Sequence, residues 1–317
     1  MLTNEQNAWV QTQVKDRGLT LTGSVALTHE RPWSNVATVP TGAGRLFFKI
    51  TRPELRFEVR LTEQLSRWGM PVPEVVAADA EEGWLLLRDS GQSLRSLLQA
   101  DGDIERWHTA VTQYAHMQIA LADRAEALLA TGLFDRRLDR LPALYAGLLH
   151  DRPALMIGEK DGLTAAEFSR LQEFAPQFAG LCRQLAALGI PETLHHDDFH
   201  DNNIFVRDGR YSFADWGEAC LAHPFFSLII VLRSAAYTLH LQPDDPALAA
   251  LRDTYLRQWQ DFATWAELRQ AFALAHHIGM FNRALTWHAV LRLMDEAERA
   301  TEADAVPGWL QEFLAQG

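Results

Sequence analysis

The sequence predicts an α+β fold in two lobes, a small antiparallel sheet carrying one helix followed by a larger, mostly helical lobe. Short β-type runs separated by turn residues fill the first ninety positions, and after about residue 92 they give way to long stretches with apolar residues at i, i+3 and i+4. At 317 residues with 48% hydrophobic content, the chain is long and apolar enough to bury the cores of two domains.

The expected strands cover 19–27, 35–39, 45–50, 74–77 and 84–88. Thr41-Gly42-Ala43-Gly44 and Glu81-Glu82-Gly83 supply turns, as a sheet built of hairpins requires. Between them Leu55, Val59, Leu61 and Leu65 recur near the helical period, and Gly69, Pro71 and Pro73 end that segment. Helices are expected over 103–130, 164–188, 245–262 and 266–299. The one clear β element among them is a hairpin, Asn203 to Arg207 and Arg210 to Ala214, around the turn dipeptide Asp208-Gly209. Residues 1–88 thus form the β-rich lobe, 89–92 a hinge within the Leu87-Arg88-Asp89-Ser90-Gly91 stretch, and 93–317 the helical lobe.

A formal charge of −12 with no cluster of Lys and Arg argues against a nucleic-acid partner and would favour a cationic one. Cys182 and Cys220 are too few and too far apart for a disulfide framework or a four-ligand zinc site, and read as buried thiols in a reducing compartment. The N-terminal residues lack the charged-then-apolar pattern of a signal peptide, and no apolar run is long enough for a membrane helix. The expectation is a cytoplasmic protein without a membrane partner.

Chemistry concentrates in His195-His196-Asp197-Asp198-Phe199-His200-Asp201-Asn202-Asn203 and in Asp215-Trp216-Gly217. A two-residue turn at 208 and 209 pairs position 203 with 214 and sets Asn203 beside Asp215. Two oxygen donors at one end of a rigid hairpin suit a Mg²⁺ ion shared with nucleotide phosphates. Asp198, five residues before Asn203, can then lie in the preceding loop and accept a hydroxyl proton. The competing reading is a zinc- or iron-dependent hydrolase built on His195, His196 and His200. Against it, adjacent histidines on a strand face opposite sides, and the helical His-Glu-x-x-His spacing is absent.

These residues resemble the aminoglycoside phosphotransferase-like (phosphotransferase enzyme) family of small-molecule kinases. The family's catalytic loop reads His-Gly-Asp-Leu-His-x-x-Asn and is followed by a metal-binding Asp-x-Gly. His196, Asp198, His200 and Asn203 match it, with Asp197 in place of Gly and Phe199 in place of Leu, and Asp215-Trp216-Gly217 supplies the second motif. The resemblance implies a bilobal, protein-kinase-like fold, Asp198 as the base or hydroxyl-orienting residue, Asn203 and Asp215 as Mg²⁺ ligands, and His196 and His200 as supports of the loop. A cation should also reach the nucleotide phosphates from the small lobe. Lys49, alternating with apolar neighbours near a strand end, fits that task. Glu58 lies thirteen residues before Pro71-Val72-Pro73, the family spacing for the lysine's ion-pair partner, and Glu63 is the competing choice. The loop over the phosphates would carry Ser34-Asn35, where protein kinases use glycines. Leu87 to Asp89 would face the base, of ATP or alternatively GTP.

The acceptor would bind among residues 224–317 and the helix after 103. Asp244, Asp245, Asp295, Glu296 and Glu298 are candidates to attract an amine, and Trp216, Trp259, Trp265 and Trp287 to line an aromatic pocket. The expected function is transfer of the γ-phosphoryl group to a hydroxyl of a small molecule such as an amino sugar or amino alcohol. The alternative from a different class is a kinase-fold protein that binds nucleotide or a small ligand without catalysis.

Overall fold

The first residues depart from the strand pattern. In a computed structural model of the chain, which describes residues 1–316, Asn4–Asp16 form helix α1. Thr3 caps it by accepting from the Gln6 N–H while the Gln6 side chain returns to the Thr3 N–H. Its inner face offers only Val10 and Val14, with Trp9 5.4 Å from Phe48, so the helical period is too thin to read from sequence.

Strands β1 (Ala26–Glu30), β2 (Ser34–Thr41) and β3 (Gly44–Thr51) follow, then α2 (Phe57–Arg67), β4 (Val75–Asp79), β5 (Trp84–Arg88) and the short β6 (Gln92–Ser93). The five-stranded sheet runs β1-β2-β3-β5-β4 with every pair antiparallel. The first strand starts later than expected; within 19–25 only Leu21 bridges, to Thr41. The chain continues through α3 (Leu94–Asp101), α4 (Glu105–Ala120), α5 (Ala125–Leu129), β7 (Phe134–Asp135), α6 (Leu141–His150), α7 (Arg152–Leu155) and α8 (Ala165–Ala186). Next come β8 (Thr193–His195), β9 (Ile204–Arg207), β10 (Arg210–Phe213) and β11 (Cys220–Ala222). Last are α9 (Leu228–Leu239), α10 (Pro246–Arg257), α11 (Trp265–Leu291), α12 (Glu296–Thr301) and α13 (Ala305–Leu314). The helix expected over 103–130 is thus two helices, and the one expected over 266–299 ends at Leu291 and resumes at Glu296. Helix α9 opens on an apolar run, 228–232, that carries no period to separate a buried helix from a buried strand.

By packing, the chain divides into Met1–Leu94 with Asn203–Gly217, and Arg95–Asn202 with the residues from Glu218 onward. In the first unit Val39, Leu46, Phe48, Trp84 and Leu86 form the core against α1. A second sheet, β10-β9-β6, joins the hairpin to the segment after β5. Asp208 and Gly209 take φ of 51° and 75°, the positive pair that a tight two-residue hairpin turn requires. Gly91, at φ 103°, lies so close to β9 that a Cβ there would run into the Val206 carbonyl. In the second unit a small sheet, β7-β11-β8, lies among the helices. The longest helix, α11, is buried over most of Leu268 to Leu291, and Asn282 and Arg283 lie in that buried stretch.

Gly91→Ala should therefore lower the unfolding free energy by about 1–3 kcal/mol, the scale of a strained backbone position. Urea denaturation checks this, and an unchanged midpoint would mean the β6–β9 approach is looser than described.

Candidate active site

In the first unit, β3 carries the buried Lys49 on the sheet face opposite Leu46 and Phe48, and α2 brings Glu58 to it. Lys49 Nζ is 2.6 Å from Glu58 Oε1 and 2.6 Å from Asp215 Oδ1. Glu63, the competing partner, instead pairs with Arg67 one turn along the same helix. Burial alone would lower the pKa of the Lys49 ammonium, but Asp215 and Glu58 outweigh it and hold the group charged, above its ordinary value. Asp215 has φ 67°, a left-handed conformation uncommon outside glycine, and its side chain is 46% exposed. Gly217 leaves room for Glu58, whose Oε2 would lie 3.3 Å from a Cβ there, and the Trp216 N–H donates to that same carboxylate. The hairpin is fastened at its open end: Ala214 N–H donates to Asn203 O at 2.9 Å, and Phe213 N–H to Pro71 O at 2.7 Å. Asn203 and Asp215 are thereby brought to one end of the hairpin, as its turn predicts. Both offer hard oxygen donors of the kind Mg²⁺ takes.

In the second unit, β8 delivers the loop that begins at His195. Asp198 Oδ2 lies 3.2 Å from His200 Nε2, and both side chains are 27% exposed. Burial would raise the Asp198 pKa, yet the His200 hydrogen bond and the Arg283 charge bring it down to about 2, so it is ionised at neutral pH. His200 loses basicity by burial but gains more from Asp198, and its pKa lies above the ordinary histidine value. His196 is buried, donates its N–H to the Tyr114 hydroxyl at 2.9 Å, and stands edge-on to Phe199. Phe199 stacks on Tyr114 at 3.9 Å between ring centroids, a contact that gives the aromatic residue a use at that loop position. Asp201 ties the far end of the loop to Arg95 at 2.7 Å and accepts from Thr238 at 2.5 Å.

Asp197 is 1% exposed and ionised, surrounded by partners that sequence reasoning did not find. Oδ1 accepts from His195 Nε2 at 2.7 Å and Asn282 Nδ2 at 2.9 Å, and Oδ2 accepts from the Thr286 hydroxyl. Arg283 and Arg136 stand 3.4 and 3.8 Å from Oδ2. Burial pushes its pKa up, but these cations and His195 more than reverse that and hold the carboxyl well below its usual range. His195 also engages Ser227 through Nδ1 at 2.7 Å, so both its ring nitrogens are in use and neither is left to ligate a metal. Among the described residues no group of three or more His, Cys, Asp or Glu converges as metal ligands, which removes the geometric basis of the hydrolase reading.

The remaining candidates lie as follows. Ser34 and Asn35 open β2, paired with Thr51 and Ile50, and Arg31 N–H closes the preceding turn on Ser34 O at 3.0 Å. Leu87 pairs with Phe47 in the sheet. The N–H groups of Arg88 and Asp89 donate to Glu74 O and Arg45 O, and the Asp89 carboxylate holds Arg45, Arg207 and the Gly91 N–H. Of the acidic acceptor candidates, Asp245, Asp295 and Glu298 are helix caps. Trp216 and Trp259 are fully buried core residues.

Two outcomes test this geometry. Asp197→Gly, which restores the usual loop residue, should cost about 3–5 kcal/mol by leaving two guanidinium groups buried without their carboxylate; chemical denaturation reads it, and wild-type stability would contradict the cage. The Asp198–His200 pair stabilises the fold fully between the unfolded Asp and His pKa values; His200's share fades as pH rises through its raised folded value, and Asp198's as pH falls toward its lowered one. In an NMR titration Asp198→Asn should lower the His200 midpoint; an unmoved midpoint would separate the two groups.

The sequence model of the phosphotransferase enzyme family matches residues 27–271. The N-acetylmuramate/N-acetylglucosamine kinase of Caulobacter vibrioides is 26% identical over 271 residues, 77% of this chain, and the chain spans 65% of that relative's length. Among solved structures, a macrolide 2′-phosphotransferase type I superposes with a TM-score of 0.60 at 16% identity, covering 96% of this chain and 98% of that one. A choline/ethanolamine kinase family protein from Mesorhizobium loti gives 0.60 at 16% identity, covering 100% and 95%. A thermostable mutant of aminoglycoside phosphotransferase APH(4)-Ia, in ternary complex with AMP-PNP and hygromycin B, gives 0.57 at 15% identity, covering 99% of each. No described helix is long and apolar enough to cross a membrane. These likenesses agree with the two-part α+β architecture, and because the family match takes in most of its length, the chain belongs to the phosphotransferase enzyme family.

Proposed function

We propose that the protein is a Mg·ATP-dependent kinase that transfers the γ-phosphoryl group to a hydroxyl of a small molecule. The observation that carries this reading is the buried Lys49 ammonium, fixed between Glu58 and Asp215 at 2.6 Å from each. A cation held that firmly offers a phosphate a preorganised charge with no side chain left to reorder. Membership of the phosphotransferase family and the AMP-PNP seen in the APH(4)-Ia complex support a nucleotide as donor.

Asn203 and Asp215 would hold Mg²⁺, which supplies the positive charge that offsets the charge developing on the transferred group. Lys49 would bind the α- and β-phosphates. Asp198, ionised and held by His200, would accept the hydrogen bond of the acceptor hydroxyl and fix its direction. With a pKa near 2 it is a weak base, so it would take the proton only once bond formation to phosphorus has made that hydroxyl acidic. Leu87 and Asp89 would border the base, of ATP or GTP, and Ser34 and Asn35 the phosphates. The acceptor class is an amino sugar, an amino alcohol or a related hydroxyl compound, in keeping with the chain's net negative charge. The buried, free Cys182 and Cys220 suit a cytoplasmic setting.

ADP release from Mg·ATP across a panel of sugars, amino sugars and amino alcohols tests the reading. With the acceptor so found, Asp198→Asn should lower turnover by ~10²–10⁴, whereas Asp215→Ala should weaken Mg·ATP binding in calorimetry. Full turnover in the first variant would remove Asp198 from the reaction, and unchanged binding in the second would remove Asp215 from the metal site.

A further inference from the structure

The Arg283 side chain touches Asp197, Asp198 and Glu218, the residue after Asp215-Trp216-Gly217. It is 5% exposed at its side chain, on the buried face of α11. Nη1 donates to the Asp197 carbonyl oxygen at 2.7 Å and to Glu218 Oε2 at 2.9 Å. The same nitrogen stands 3.4 Å from Asp197 Oδ2, while Nη2 lies 3.7 Å from Asp198 Oδ1. The guanidinium also lies over the Trp309 ring at 5.6 Å. Nε has no hydrogen-bond partner, so the group's polar contacts all lie at the Nη end.

A planar guanidinium presents its donors in a fixed fork, whereas an ammonium is a point charge on a flexible stem. Here the fork grips the backbone immediately before Asp198 and stands beside the Asp198 carboxylate. The helix cannot rotate under it, because Asn282 and Thr286, on either side of Arg283, are themselves bound to Asp197. Resting on the reading of Asp198 proposed above, we infer that Arg283 is a positioning residue for the reaction: it fixes where the Asp198 carboxylate meets the acceptor hydroxyl, with Glu218 as the counter-charge that keeps the guanidinium oriented. A displacement of about 1 Å at such a group is enough to cost 10²-fold in rate.

Steady-state kinetics of ADP release, with the acceptor identified by the panel or with water in its place, tests this. Arg283→Lys keeps the charge in the buried slot but loses the fork. Its kcat should fall about tenfold while KM for ATP stays within about twofold, the signature of an interaction that matters after substrate is bound. Arg283→Met should fall further, by about 10²-fold. Arg233→Gln serves as a comparison: Arg233 also lies over Trp309, at 4.5 Å, and pairs with Glu312, so it shares the aromatic contact without touching the loop. It should keep wild-type kcat. Unchanged kcat in Arg283→Lys overturns the assignment. So does a parallel loss of kcat, nucleotide affinity and melting temperature in that variant, which would make Arg283 structural only, and so does a matching loss in Arg233→Gln, which would trace the effect to Trp309. Asp198→Asn run alongside separates the two levels: if it is fully active, the role of Asp198 fails, and if it is inactive while Arg283→Lys is not, only the positioning claim fails.

Discussion

A buried carboxylate cannot remain ionised without a complete set of partners, and Asp197 has one. Taking a single charge out of water costs several kcal/mol even after relaxation. His195, Asn282, Thr286, Arg136 and Arg283 together offset it. None can be spared cheaply, so strand β8, the segment Arg136 belongs to, and the middle of α11 are locked to one loop. The next residue is Asp198. Its backbone therefore starts from a position set by a charge network rather than by a flexible turn, and the substitution of Asp for the family's Gly acts as an anchor where it could have been a defect.

The first unit solves a similar problem differently. Lys49 is buried between two carboxylates, one on a helix and one at the open end of a hairpin; burial pushes the Glu58 carboxyl up, and with both carboxylates ionised the trio carries one net negative charge. Under the proposed reading, that balance favours a phosphate arriving with a divalent cation over a bare phosphate. The left-handed conformation of Asp215 fits the same logic: strain at a single residue is tolerated where hydrogen bonds fix the chain on both sides, here from Phe213 and Ala214 to Pro71 and Asn203 before it and from Trp216 to Glu58 after it.

What could be read from sequence follows the range of the interaction. The Asp208-Gly209 turn sets the Asn203–Ala214 register locally, and the Glu58 to Pro71 spacing, known from the family resemblance, points to Glu58 as the partner of Lys49; the register and the ion pair are both seen in the geometry. The Asp197 cage is the opposite case. Its partners on α11 lie 85 to 89 residues away, and an Asn, an Arg and a Thr on a helix give no sign in isolation that they will meet a carboxylate. Helix α1 was hidden because it buries only a narrow stripe, and α9 because its opening residues, 228–232, are all apolar and show no period. Several acidic residues that looked available for a cationic acceptor are helix caps, a use that their positions three residues before a Glu, or just before a Pro, do encode. The Asn203–Gly217 segment packs with the β-rich unit although it lies far along the chain, which a linear division into lobes has no way to express.

The most direct test of phosphoryl transfer follows the phosphorus itself. Phosphorus NMR of the protein with Mg·ATP and a mixture of sugars, amino sugars and amino alcohols should show the γ-phosphate resonance replaced by that of a phosphate monoester, with ADP in equal amount. ATP left intact across the whole panel, or converted only to ADP and inorganic phosphate, would contradict a kinase acting on such hydroxyl compounds.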